Sequence, residues 1–168
     1  MFSKLFHSLK YKNKKKPTIL KNEKNEELIQ ELRFEGITDE KILSAIRIVP
    51  RELFTENLDE AYENKALSVE CSQTLTQPFC TAFMISSLNL RPTNNVLEIG
   101  TGVGWTTAVI SKLVKTVFTM ERFKKLLDIA KKNIAKLKIE NVQFKLGNGF
   151  EGWGDKTLFD AITIGAAS

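Results

Sequence analysis

Apolar residues recur at helical spacing in the first half of the chain and in short continuous runs in the second. In NEELIQELRFE (25–35), Leu28, Ile29 and Leu32 fall on one helical face. Gly36 ends that pattern. Thr38 is placed to cap a second helix, with Asp39 and Glu40 in its first turn, where negative charge is favoured. Ile42, Leu43, Ile46 and Ile48 supply its apolar face. Pro50 stops it and opens a short helix through Phe54. Residues 55–76 show no period and read as irregular. Helical spacing returns over 78–89, with Phe79, Phe83, Met84 and Leu88 on one face, and Arg91-Pro92 closes it.

From residue 96 the texture changes. VLEI (96–99), VFTM (117–120), VQFK (142–145) and FDAITI (159–164) are strand-like runs. Helical stretches, 105–114 and 123–138, separate the first three. The longer one carries Phe123, Leu126, Leu127, Ala130 and Ile134 at helical spacing. Strands alternating with helices imply a parallel sheet with right-handed crossovers, an α/β fold. Three segments follow: a basic flexible tail (1–24), an N-terminal helical segment (25–92) and a partial cofactor-binding core (93–168). A parallel strand is normally flanked on both sides. FDAITI has only three residues after its following glycine, so the reading is of a sheet short of its C-terminal part.

Composition sharpens this little. At 168 residues and 42% apolar, the chain is long enough for one real core. Two cysteines, Cys71 and Cys80, without a secretory leader give no disulfide scaffold and imply a reducing cytoplasm. No apolar run has the length of a membrane span. The net charge of +5 is concentrated at the start, in Lys4, Lys10, Lys12, Lys14 to Lys16 and Lys21. No aromatic–basic interleaving continues beyond it, so no nucleic-acid surface is predicted. The expected state is a monomer, or a chain joined by a separate C-terminal piece.

The chemistry gathers around VLEIGTGVG (96–104), a strand that opens a helix through a glycine-rich turn. Its spacing is GxGxG and not the GxGxxG of dinucleotide-binding proteins, which makes a dehydrogenase a poor reading. Glu121 ends the second strand, about twenty residues on, where a carboxylate can accept from both hydroxyls of a ribose. Asn148 follows the third strand, where an amide can meet an adenine edge. The turn GTGVGW holds no Lys or Arg, as a phosphate would want. An adenosine ligand without phosphate suits S-adenosyl-L-methionine. Glu98, inside the first strand, is then an acidic group near the amino-acid portion of a sulfonium. Upstream, SQTLTQP (72–78) is a run of small polar residues placed to cap the following helix.

Together VLEIGTGVGW, VFTMER, GNGFEGW and FDAITIGAA, with VPRELF (49–54), AYENKALSV (61–69) and SQTLTQP upstream, resemble the protein-L-isoaspartate O-methyltransferase family over residues 26–168. SQTLTQP before the GTGVG turn is the specific part, since methyltransferases in general share only the core. The resemblance implies a Rossmann-like methyltransferase sheet with an N-terminal helical segment. It implies S-adenosyl-L-methionine held by Gly100, Thr101, Gly102 and Gly104, with Glu121 at the ribose and Asn148 and Gly149 near adenine. It also implies methyl transfer to isoaspartyl carboxylates in damaged proteins. Such a carboxylate is ionised at neutral pH and needs no general base. The only histidine, His7, lies in the tail.

The chain departs from the family pattern at named positions. Thr76 stands where the family places a serine hydroxyl that serves the active site. Asn148 stands where the family has Asp. Val69-Glu70-Cys71-Ser72 replaces a glycine-containing turn, and Glu70, if turned inward, would repel an anionic substrate. The family's sheet also continues beyond the FDAITI strand. That leaves as alternatives an inactive remnant, a chain completed by a separate C-terminal piece, or the same fold with another acceptor.

Overall fold

The computed structural model describes residues 18–154 and 158–165. Helix α1 (Thr18–Phe34) begins inside the stretch read as a tail; the rest of that stretch lies outside the described residues. Residues 18–24 are rich in Lys and Glu, which are good helix formers, and they follow Pro17. Gly36, at φ 101°, turns the chain as expected. Helix α2 (Glu40–Ile48) is capped by Asp39, whose side chain accepts from Lys41 N–H, and not by Thr38. Ile42, Leu43, Ala45 and Ile46 are buried, but Ile48 is left exposed in the last turn. Glu26 on α1 and Arg47 on α2 are joined at 2.6 Å.

The segment read as irregular contains a small hairpin. Strand β1 (Leu67–Val69) pairs antiparallel with β2 (Gln73–Leu75) through a turn over Glu70–Ser72. Cys71 and Ser72 there have φ of 59° and 54°. Three-residue strands are too short to show an alternating pattern in sequence, so this element was not legible.

Helix α3 (Pro78–Ser87) buries Pro78, Thr81, Ala82 and Ile85, not the phenylalanine face expected. Phe79 and Phe83 stack on each other at 6.1 Å, and Phe83 is exposed. Thr81 and Ala82 sit at full burial, because small side chains allow close approach. The capping expectation for SQTLTQP also fails. Gln77, the cap position, accepts from the Cys80 thiol but caps no backbone N–H of α3; the Phe79 N–H is instead taken by Asn64 Oδ1 at 2.9 Å.

The main sheet is parallel, in the order β5–β4–β3–β6. Its strands are β3 (Asn95–Ile99), β4 (Thr116–Glu121), β5 (Val142–Leu146) and β6 (Ala161–Ile164), with α4 (Trp105–Ser111) and α5 (Lys124–Lys136) between the first three. Val96, Val117, Ala108, Val109, Leu126 and Ile134 share one core that also takes in α1 and α2. On the other face Phe118 packs edge-on against Trp153 and Phe159. Among the described residues β6 pairs only with β3, and Ile162 and Ile164 are 54% and 64% exposed. No helix among them is long and apolar enough to cross a membrane.

Candidate functional site

Strands β3, β4 and β5 deliver their C-terminal ends to a cleft of about 360 Å³. β4 and β5 step away from β3 on one side, and β6 returns on the other. Connections diverge at such a reversal of strand order and leave a crevice. Thr76, Glu98, Gly100, Thr101, Gly102, Gly104, Glu121, Asn148 and Gly149 all line it. The residues assigned from the sequence to the cofactor and to the acceptor therefore line one cleft.

The turn after β3 is packed tightly from behind. Gly104 has φ 95°, and a Cβ there would stand 3.1 Å from the Ala130 Cβ of α5. A side chain at this position is disfavoured by both conformation and space. The turn is also tied to the sheet. Glu98 and Thr119 are register partners on β3 and β4. The Thr119 hydroxyl donates to Glu98 Oε2 at 2.6 Å, and the Thr107 hydroxyl of α4 donates to the same oxygen. With its proton so committed, Thr119 accepts from the Thr101 hydroxyl at 2.6 Å. A chain of three threonines thus runs from the glycine turn and the following helix to one buried carboxyl.

Glu98 Oε1 has no hydrogen-bond partner among the described residues, although the side chain is 1% exposed. Burial pushes the Glu98 carboxyl up to about 7; the two threonine bonds oppose this and the nearby Glu121 charge adds to it. A carboxyl raised this far stabilises the fold while it is protonated. The contribution is complete below its ordinary value near 4.5 and is lost as pH rises through 7. The empty protein is therefore expected to lose on the order of 3 kcal/mol between pH 4.5 and 8 relative to a Glu98→Gln variant. Parallel denaturant titrations of both proteins across that range check this. Equal pH dependence would contradict it.

Glu121 is held by the backbone. Its Oε2 accepts from Gly102 N–H at 2.9 Å and its Oε1 from Phe123 N–H at 3.0 Å. Each oxygen keeps a further lone pair, so the carboxylate is fixed yet still able to accept from a ligand. Asn148 accepts from Phe150 N–H through Oδ1 at 3.1 Å, which leaves its amide N–H groups as the ligand-facing donors. Gly149 presses on the floor: a Cβ built on it would lie 2.3 Å from Ile99 Cγ2.

The hairpin supplies another wall through Gln73, Thr74, Leu75 and Thr76. The Thr76 hydroxyl has no hydrogen-bond partner among the described residues, while its carbonyl accepts from Arg51 at 3.0 Å. Glu70 does not turn inward. It pairs with Lys125 on α5 at 2.8 Å and does not line this cleft, so the repulsion considered from the sequence does not arise. Trp105, Phe123, Met84 and Phe150 complete the apolar lining. Nothing in the local pattern marks these as cleft residues, since apolar side chains read as core. Arg51 was missed as well: it is 1% exposed, and nothing in the local pattern marks a buried cation.

The chain resembles known proteins over most of its length. The family model described as protein-L-isoaspartate(D-aspartate) O-methyltransferase matches residues 22–168. A protein-L-isoaspartate O-methyltransferase of Dictyoglomus turgidum is 43% identical over 170 residues, covering 100% of this chain and 73% of the relative. One from Aliivibrio fischeri is 48% identical over 149 residues, covering 88% and 72%. A solved protein-L-isoaspartate O-methyltransferase superposes with a TM-score of 0.75 at 32% identity, covering 83% of this chain and 47% of that one. A Plasmodium falciparum structure titled as such a methyltransferase, in complex with S-adenosyl-L-homocysteine, also superposes at 0.75. At 23% identity it supports the fold alone.

Proposed function

The chain belongs to the protein-L-isoaspartate(D-aspartate) O-methyltransferase family, and on that premise we propose that its cleft binds S-adenosyl-L-methionine and directs methyl transfer to the carboxylate of L-isoaspartyl residues in proteins. The observation that carries this is the pairing of a buried, half-satisfied Glu98 with a backbone-clamped Glu121 around a glycine turn lacking Lys and Arg. The residues fit such a ligand. A cationic amino-acid end suits the unpaired Glu98 Oε1, a ribose suits Glu121, and an adenine suits the donor side of Asn148 beside Gly149. Two acidic side chains, Glu98 and Glu121, line the cleft with one cation, Arg122, and a cationic ligand would draw the raised Glu98 carboxyl into its ionised form. That balance favours a positively charged ligand.

When bound, the cofactor supplies an electrophilic methyl group on a sulfonium. The chain's part is binding, orientation and exclusion of water. Thr101, Thr107 and Thr119 hold Glu98 in place. Trp105, Phe123 and Leu126 keep the cleft apolar. The free Thr76 hydroxyl is positioned to donate to the acceptor carboxylate. An acceptor ionised at neutral pH requires no proton removal, in keeping with a cleft that contains no histidine.

The test uses methyl-labelled S-adenosyl-L-methionine and two peptides that differ only in one isoaspartyl or aspartyl linkage. Label is expected in the isoaspartyl peptide alone, as a base-labile ester. Equal labelling of both peptides would favour another acceptor. Cofactor binding with no labelling would favour a binding remnant.

A further inference from the structure

Arg51 lies outside the cleft lining, yet it ties two stretches that line the cleft, at Thr76 and Trp105, to a third behind them, residues 61–65. Nη1 donates to the carbonyls of Ala61 at 2.9 Å and Glu63 at 3.4 Å. Nη2 donates to those of Lys65 at 3.1 Å and Thr76 at 3.0 Å. Its guanidinium carbon sits 5.0 Å from the ring centroid of Trp105, the first residue of α4 after the glycine turn. Burial lowers the Arg51 pKa to about 10, which leaves the cation charged at neutral pH.

The segment that Arg51 grips is bound to the start of α3 from a second direction. Gln77 Nε2 donates to the Asn64 carbonyl at 2.9 Å, and Asn64 Oδ1 accepts from Phe79 N–H. Residues 61–65 therefore act as a strut between Arg51 and the Thr76–Phe79 stretch. The peptide group is planar and trans, so fixing the Thr76 carbonyl also fixes the plane from which the Thr76 side chain departs. A hydrophobic side chain would fill this space without burying a charge. Only a planar fork with several donors reaches four carbonyls on two stretches of chain, 61–65 and Thr76.

We propose that Arg51 is a positioning residue for the acceptor side of the cleft: it locks the Thr76 segment against the turn that opens α4, and so sets where the substrate carboxylate lies relative to the cofactor turn. This rests on the methyltransferase reading for its kinetic consequence, but not for its structural one. An ammonium in place of the guanidinium keeps the charge and loses the fork.

The experiment compares the full chain with Arg51→Lys and Arg51→Met. Amide hydrogen exchange of residues 61–66 and 73–79 is expected to accelerate by about tenfold or more, while residues 96–104 and 116–121 stay within about twofold. Trp105 fluorescence should shift in both variants. Affinity for S-adenosyl-L-homocysteine should change by less than about threefold, whereas KM for an isoaspartyl peptide rises by about tenfold or more with a smaller fall in kcat. Uniform acceleration across both regions, unchanged exchange, an unchanged KM, or failure of both variants to fold would each overturn the assignment. If the wild-type chain transfers no methyl group, the proposed activity falls, and the exchange pattern alone decides the role of Arg51.

Discussion

Glu121→Ala is expected to weaken S-adenosyl-L-homocysteine binding on the order of 100-fold, measured by calorimetric titration. Two effects combine. The carboxylate is the acceptor proposed for the ribose, and a hydrogen bond to a charged group contributes roughly 1.5–3 kcal/mol. It also holds Gly102 N–H and Phe123 N–H, so its loss frees the glycine turn and the start of α5 together. Glu121→Gln separates the two. It keeps the shape but turns one acceptor into a donor facing a backbone N–H. The glutamine variant should therefore also bind poorly while remaining folded. Unaltered affinity in both variants would remove Glu121 from the ligand site.

Gly149→Ala should cause the second large effect, through space rather than polarity. Gly149 has ordinary backbone angles, so conformational strain is not the issue. The new methyl group would lie 2.3 Å from Ile99 Cγ2 at the C-terminal end of β3. Either Ile99 leaves its position or residues 148–152 move off the adenine side. Overpacking of this kind costs roughly 1–3 kcal/mol. A tenfold or greater loss of cofactor affinity should accompany it, because one methyl displaces part of the proposed site. Ile99→Ala removes the obstructing carbon. In the double variant, stability and affinity should recover relative to Gly149→Ala alone, and a double-mutant cycle reads that coupling. Additive losses would contradict the steric account.

The cofactor half of the cleft was legible in the sequence because its parts are local and ordered. A strand, a glycine turn, an acidic strand end and a polar turn each leave a mark within a few residues. The structure brings Glu98, Glu121, Asn148 and the turn together through parallel pairing, which the alternation of strands and helices implied. The half proposed for the acceptor was less legible. Its hairpin has strands of three residues, and its Thr76–Phe79 end is bonded by Arg51 and Asn64, which lie 25 and 15 residues from the groups they hold there. SQTLTQP read as a cap because Ser and Thr before an apolar helix usually are one. Here the cap comes from the preceding loop, and the stretch is a strand and a wall instead. The face of α3 was misread for a related reason: burial went to Thr81 and Ala82, which periodicity scores poorly, while Phe79 is only partly buried and Phe83 stacks on it from outside. Glu70 could not be placed until the Lys125 partner on α5 was seen.

The chain spans 73% of the Dictyoglomus relative and 47% of the solved methyltransferase with which it superposes. Its sheet ends, among the described residues, on β6 with two exposed isoleucines. The cleft nevertheless has a floor, a glycine turn, both carboxylates and the hairpin wall within this one chain. The most direct test of the central claim is a calorimetric titration of S-adenosyl-L-homocysteine into the folded, monodisperse wild-type protein. One-to-one binding with a dissociation constant on the order of micromolar, about −8 kcal/mol, is predicted. The absence of binding by a folded chain would contradict the account at its base.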